Sequence, residues 1–167
     1  MRFEADATQL ILSAADCARK LGHSYVGSEH ILLAMVSEPG WPGQILHGVG
    51  MNADLTRQMA AALYGSGVAS LPLPQGWTPG AKRILTSAGA EARRLGKGSV
   101  KGLHILLALV RKQPSSATEL MTLANIDPDD VFTQTIHYLQ WEEKTPVKTK
   151  KEAVGTKLLE QFSEDLI

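Results

Sequence analysis

Residues 27–30 read Gly-Ser-Glu-His, which places a hydroxyl, a carboxylate and an imidazole side by side. Such groups can serve acid–base, nucleophilic or metal chemistry when further ligands or partners stand at suitable spacing. The sequence does not supply them. Its five histidines, His23, His30, His47, His104 and His137, form no HExxH or other ligand pattern. RLGKGS at 94–99 hints at a phosphate loop, but Glu91 stands where a Walker A motif needs its first glycine, and Gly98 follows Lys97 where Ser or Thr should hold magnesium. No GxSxG is present, and Cys17 lacks the electropositive setting of a reactive thiol. The residues favour a binding module over an enzyme.

The elements that position Gly27–His30 are written twice. LGHSYVGSEHILLAMV at 21–36 aligns with LGKGSVKGLHILLALV at 95–110, identical at nine of sixteen positions, with His30 facing His104 at an offset of 74 residues. AADCARKLG at 14–22 faces AGAEARRLG at 88–96, and LHGVGMN at 46–52 faces MTLANID at 121–127 after a one-residue insertion. The chain is a tandem repeat. In each copy apolar residues recur at spacings of three and four, Leu10, Ile11, Ala14, Ala18 and Leu21 in the first, and Ile84, Leu85, Ala88, Ala92 and Leu95 in the second. These stripes predict amphipathic helices that end at Gly22 and Gly96, natural left-handed C′ residues. ILLAMV is apolar all round; its Leu, Ala and Met favour a buried helix, with Ser28 as N-cap. A short third helix is expected from Pro42, and a fourth over 52–63 capped by Asn52. Asn125 replaces Gly50 at a left-handed position, and Asp127 caps the last helix ahead of Pro128.

The expected fold is all-α: two pseudo-symmetric four-helix repeats packed into one globular domain of about eight helices. Repeat 1 spans 1–64 and repeat 2 spans 77–141. GSGVASLPLPQG at 65–76 reads as the connecting loop, 142–157 as a polar linker, and LLEQFSEDLI at 158–167 as the start of a further segment. Trp77 stands where repeat 1 has Phe3, a shared anchor at the start of the first helix; Trp41 in EPGWPG is either tucked over the core or offered to partners.

At 167 residues with 44% hydrophobic composition the chain can bury a sizeable core. Seventeen acids balance seventeen bases, which removes the electrostatic footprint of a nucleic-acid or anionic-membrane binder. No run approaches the roughly 20 apolar residues of a membrane span. MRFEADATQL lacks the basic and apolar regions of a signal peptide. With one cysteine no internal disulfide can form, and a reducing, cytoplasmic compartment is expected.

The pairing of ARKLGHSYVGSEHILLAMV with ARRLGKGSVKGLHILLALV, preceded by TPGAKRIL at 78–85, resembles the Clp N-terminal repeat, the double module at the front of Clp/Hsp100 unfoldases, and the ClpC type in particular. The resemblance covers residues 3 to about 140, and LLEQFSEDLI resembles the lead into the first ATPase ring. It implies a non-catalytic domain that receives adaptor proteins and substrates for a hexameric motor, which feeds a ClpP-type peptidase in the cytoplasm of a bacterium. The domain alone would be a monomer without cofactor, ATP and magnesium belonging to the rings of the full-length protein. The alternatives are a freestanding accessory protein that modulates a Clp protease, or the N domain of a ClpB or ClpA type.

In ClpC of Gram-positive bacteria the module is also a phosphoarginine receptor, the acid of each G-[ST]-E-H motif engaging the guanidinium and the helix N-terminus the phosphate. The resemblance carries that role onto Gly27, Ser28, Glu29 and His30. The physical logic is sound, because helix N–H groups cradle phosphate and a carboxylate forks onto guanidinium. In repeat 2 the matching residues are Lys101, Gly102, Leu103 and His104, which lack the hydroxyl and the carboxylate. At most one site is therefore expected. Glu29 has a second role open to it, since an acid in the first turn of a helix also stabilises the dipole.

Overall fold

The computed structural model describes residues 2–67, 74–111 and 114–144. The stretches 68–73, 145–157 and 158–167, read from sequence as connecting loop, polar linker and lead segment, lie outside the described residues. Two compact units are present, Met1–Ile136 and His137–Ile167, and both repeats fold within the first except for the end of the last helix.

Repeat 1 runs β1 (Arg2–Phe3), α1 (Ala5–Lys20), β2 (Tyr25–Val26), α2 (Ser28–Ser37), α3 (Trp41–Gly48) and α4 (Ala53–Tyr64). Repeat 2 runs β3 (Gly76–Trp77), α5 (Pro79–Arg94), β4 (Ser99–Val100), α6 (Gly102–Arg111), α7 (Ser116–Leu123) and α8 (Pro128–Lys144). The all-α class and eight helices hold among the described residues. Residues 142–144 are helical, as the end of α8.

The caps explain why the helices stop where they do. At the end of α1 Gly22 turns left-handed (φ 73°), and the His23 and Gly22 N–H groups donate to the carbonyls of Ala18 and Arg19 at 2.9 and 3.0 Å. Gly96 (φ 74°) ends α5 with the same pair of bonds, from Lys97 to Ala92 and from Gly96 to Arg93. This geometry satisfies carbonyls that the last turn leaves open. Asn52 accepts the Leu55 N–H at 2.8 Å, Asp127 accepts from Asp129 at 2.9 Å, and Asn125 takes φ 63°.

α2 and α6 form the centre. From Ile31 to Val36, and from Leu103 to Val110, every residue is buried. α1, α3, α4, α5 and α7 pack around α2, while α5, α1, α3 and α7 pack around α6. A helix hydrophobic on all faces must be enclosed, and the two repeats achieve this by sharing α1, α3, α5 and α7 across their boundary.

The four short strands lock that arrangement and were not legible from periodicity. β1 pairs in parallel with β4 (Phe3 opposite Val100), and β2 with β3 (Val26 opposite Trp77). Each repeat's first strand therefore binds the other repeat. The Glu4 N–H donates to Val100 O and the Thr78 N–H to Val26 O, at 2.8 and 2.9 Å. Phe3 and Trp77 occupy equivalent, half-buried positions in these pairs. Trp41 is also half-buried, as the first residue of α3.

Candidate functional site

The N-terminus of α2 meets the N-terminus of α7. Gly27 is the N-cap, in an extended conformation open to any residue (φ −107°, ψ 178°). The absence of a side chain here leaves the Glu29 carboxylate its place, because a Cβ on residue 27 would lie 2.3 Å from Glu29 Oε1 and push it aside. The Glu29 side chain folds back over Gly27 and is 12% exposed.

Ser28 is the first helical residue, which corrects the expectation that it caps α2. Its hydroxyl turns to the other repeat, accepting the Ala117 N–H at 3.0 Å and lying 2.6 Å from Ser116 Oγ. The protons can be placed: the Ser116 hydroxyl donates to Glu29 Oε1 at 2.5 Å, so Ser28 donates to Ser116. Ser116 Oγ also accepts the Glu29 N–H at 3.2 Å. One carboxylate thus sits between two positive helix ends. Beside it the Tyr64 hydroxyl donates to Glu119 at 2.6 Å; burial, and then the Glu119 carboxylate, push the phenol well up, so it stays a donor.

The imidazole of His30 does the capping instead. It is 1% exposed, and its Nδ1 accepts the Gly27 N–H at 2.9 Å. Nε2–H then donates to His23 Nδ1 at 2.7 Å, and His23 Nε2–H donates to Gly65 O at 2.7 Å. Burial pulls His30 down to about 4, opposed by the Glu29 carboxylate and assisted by His23, so it is neutral at pH 7. The 3.8 Å approach of Glu29 Oε2 to His30 Nδ1 is consequently no ion pair.

One atom each of His23, Glu29 and His30 gather within 4.8 Å, close enough to suggest a metal. The protons argue against it. A metal on His30 Nε2 needs the proton on Nδ1, where it would face the Gly27 N–H.

In repeat 2 His104 keeps the same role, accepting the Lys101 N–H at 2.9 Å. Leu103 is buried. Sequence reading placed no carboxylate here, yet one arrives from the other repeat: Asp6 of α1 accepts the Gly102 N–H at 2.9 Å. A Cβ on Gly102 would lie 3.0 Å from Asp6 Oδ2 and from Leu10 Cδ1, and 3.1 Å from Pro42 Cγ, so this helix end is closed. Ser116 and Asp6 are the residues that sequence reasoning missed, because each acts across the repeat boundary. A Ser before an apolar run marks a helix start, but nothing local names its distant partner.

The sequence matches the Clp repeat (R) N-terminal domain over residues 2–124 and 76–158. It is 34% identical over 136 residues to the chloroplastic chaperone ClpC1 of rice, covering 81% of this chain and 15% of that one. It is 31% identical over 166 residues to a ClpA homologue of the alga Guillardia theta, covering 99% and 20% respectively. The chain thus spans less than a quarter of the length of the curated relatives it matches. In fold it is similar to the N-terminal domain of ClpD from Arabidopsis thaliana (TM-score 0.70, 19% identity, 83% of this chain and 95% of that one). The Hsp104 N-terminal domain of Candida albicans is comparable (TM-score 0.68, 20% identity, 83% and 92%).

These relatives overturn the bacterial cytoplasm as the expected setting, since the ClpC proteins of rice, pea and Arabidopsis are chloroplastic. A lone thiol fits any reducing aqueous compartment and does not distinguish a bacterium from a plastid. Two repeats with matched caps and swapped first strands, together with the family match over most of the chain, lead to one conclusion: the chain belongs to the Clp repeat N-terminal domain family.

Proposed function

We propose that this chain is a non-catalytic docking domain of a ClpC-like ATP-driven unfoldase, and that repeat 1 holds its single phosphoarginine site. In this reading it presents adaptors and marked proteins to a hexameric motor that binds ATP and magnesium and feeds a ClpP-type peptidase. A plastid-type compartment suits the relatives. The domain itself acts as a monomer, without nucleic acid, membrane or cofactor.

The observation that carries the reading is the Glu29 carboxylate between two helix N-termini. Phosphoarginine needs a negative group for its guanidinium and positive donors for its phosphate within a few ångströms. Glu29 supplies the first. The first-turn N–H groups of α2 and α7 supply the second, and those of Ser28 and Ser116 make no internal hydrogen bond among the described residues. Binding would exchange the Ser116 hydroxyl on Glu29 for the ligand's guanidinium. At α6 Asp6 already occupies the Gly102 N–H and the neighbourhood is closed.

Titration calorimetry with phosphoarginine, arginine and inorganic phosphate tests this. Phosphoarginine should bind, neither half alone should match it, and Glu29→Ala should abolish binding while the protein stays folded. Equal binding by Glu29→Ala would sink the site.

A further inference from the structure

The exposed face of α5 carries charge of one sign. At 3.6 residues per turn, Lys82, Arg83, Thr86, Ala90, Arg93 and Arg94 share one side of the helix about 120° wide, and all but the half-buried Ala90 are exposed. The opposite side buries Ala81, Ile84, Ala88 and Ala92, together with Glu91, the only acid in either α5 or α6. The Glu91 carboxylate accepts from Arg94 at 2.5 Å and from Arg111 Nη2 at 3.2 Å, with Arg111 Nε also on it. Arg111, the last residue of α6, thereby joins Arg93 and Arg94, so that end of the face sets three guanidinium groups against one carboxylate. Lys82, Arg83 and Arg93 make no ion pair among the described residues.

Repeat 1 is balanced at the same positions. The alignment places Thr8 and Gln9 at Lys82 and Arg83, Arg19 and Lys20 at Arg93 and Arg94, and Ser37 at Arg111. Asp16 holds both bases of α1, Arg19 at 2.9 Å and Lys20 at 3.2 Å. The stability of α5 does not call for its excess. Arg93 and Arg94 suit the dipole at a C-terminus, but Lys82 stands near the N-terminus, where the dipole disfavours a cation.

The cations form two groups. At 1.5 Å per residue Lys82 and Arg93 lie about 16 Å apart along the helix, with the small side chains of Thr86 and Ala90 between them. Duplex nucleic acid presents a charge about every 1.7 Å of its axis, and single strands stack on aromatic rings. The middle of this face has neither a cation nor an aromatic ring. It also lacks a large apolar side chain for a bilayer to take up. A polypeptide fits both features, since its acids can fall into two groups and its backbone can approach the small residues between.

We infer that this face of α5 docks an acidic segment of a partner polypeptide, whose carboxylates reach Lys82 and Arg83 at one end and Arg93, Arg94 and Arg111 at the other. The inference does not depend on phosphoarginine binding at Glu29.

Amide chemical shifts of the full 167-residue chain test it. The probes are a helical peptide with its glutamates in two groups about three turns apart, its glutamine counterpart, a peptide of the same composition with the glutamates gathered at the centre, and a single-stranded oligonucleotide of equal charge. The first should give saturable shifts in α5 and the end of α6 that weaken as sodium chloride is raised. The glutamine peptide and the oligonucleotide should bind at least about tenfold more weakly, and the gathered peptide at least about threefold. Lys82→Glu with Arg93→Glu should abolish binding, Lys82→Gln with Arg93→Gln should weaken it, and Thr8→Glu with Arg19→Glu at the matching positions of α1 should preserve it. No saturable shift with the first peptide, equal binding of any other probe, or unchanged binding in Lys82→Gln with Arg93→Gln overturns the proposal; the glutamine pair keeps the test decisive should the glutamate pair fail to fold.

Discussion

Repeat 1 and repeat 2 share their apolar interior almost residue for residue and differ at both ends of their central helices. Leu32 and Leu106 are each fully buried, and His30 and His104 each cap the helix they begin. At the N-terminal ends, repeat 1 sets Glu29 between the N-termini of α2 and α7, whereas repeat 2 closes over Gly102 with Asp6. At the C-terminal ends, repeat 2 sets the half-exposed Arg111 on the buried Glu91, and repeat 1 has Ser37 beside a cleft. The interior is constrained by packing, since each buried side chain touches many others. The helix ends carry fewer constraints, so the two copies can differ there without disturbing the fold.

The largest effects should fall on the shared part. Leu32→Ala and Leu106→Ala should each cost about 2–5 kcal/mol in urea denaturation, because each deletes a fully buried side chain from an equivalent place. Similar losses would support equal structural roles, and a silent member of the pair would break the comparison.

Next comes pH. The His30 pKa is depressed in the folded protein, to about 4 from 6.5, so the unfolded chain binds the proton more readily between those values. Its contribution is complete above pH 6.5 and is lost as pH falls towards 4, on the order of 3 kcal/mol. His30→Gln, which can still accept the Gly27 N–H, should flatten the stability profile over that window relative to the parent. Coincident profiles would show that the neutral His30–His23 pair has no such role.

A smaller effect is expected at the C-terminal end of α6. Arg111→Ala leaves the buried Glu91 with Arg94 as its remaining partner and should cost about 1–3 kcal/mol. Ser37→Ala at the equivalent place should stay within about 0.5 kcal/mol. A similarly small loss should come from Glu29→Ala, a few tenths to about 1 kcal/mol for an acid at a helix N-terminus, while the same change removes phosphoarginine binding.

What the sequence made legible was local. Gly22, Gly96, Asn52 and Asn125 each serve their own helix end, and their types reveal the backbone they need. ILLAMV declares a buried helix by composition. Ser28 misled because its type fits a cap, while its hydroxyl serves Ala117, 89 residues away. Ser116, Asp6 and the crossed pairing of β1 with β4 and β2 with β3 were hidden for the same reason, since pairing across repeats leaves no periodic trace. The asymmetry of the candidate site was half visible in Glu29 against Leu103. The other half lies in how the repeats face each other.

The central claim is that repeat 1 alone binds, and the stoichiometry of phosphoarginine binding by the intact chain tests it most directly. One ligand per chain, retained in Asp6→Asn and lost in Glu29→Ala, is the predicted result. Two equivalent ligands, or one that Asp6→Asn abolishes and Glu29→Ala preserves, would contradict the account.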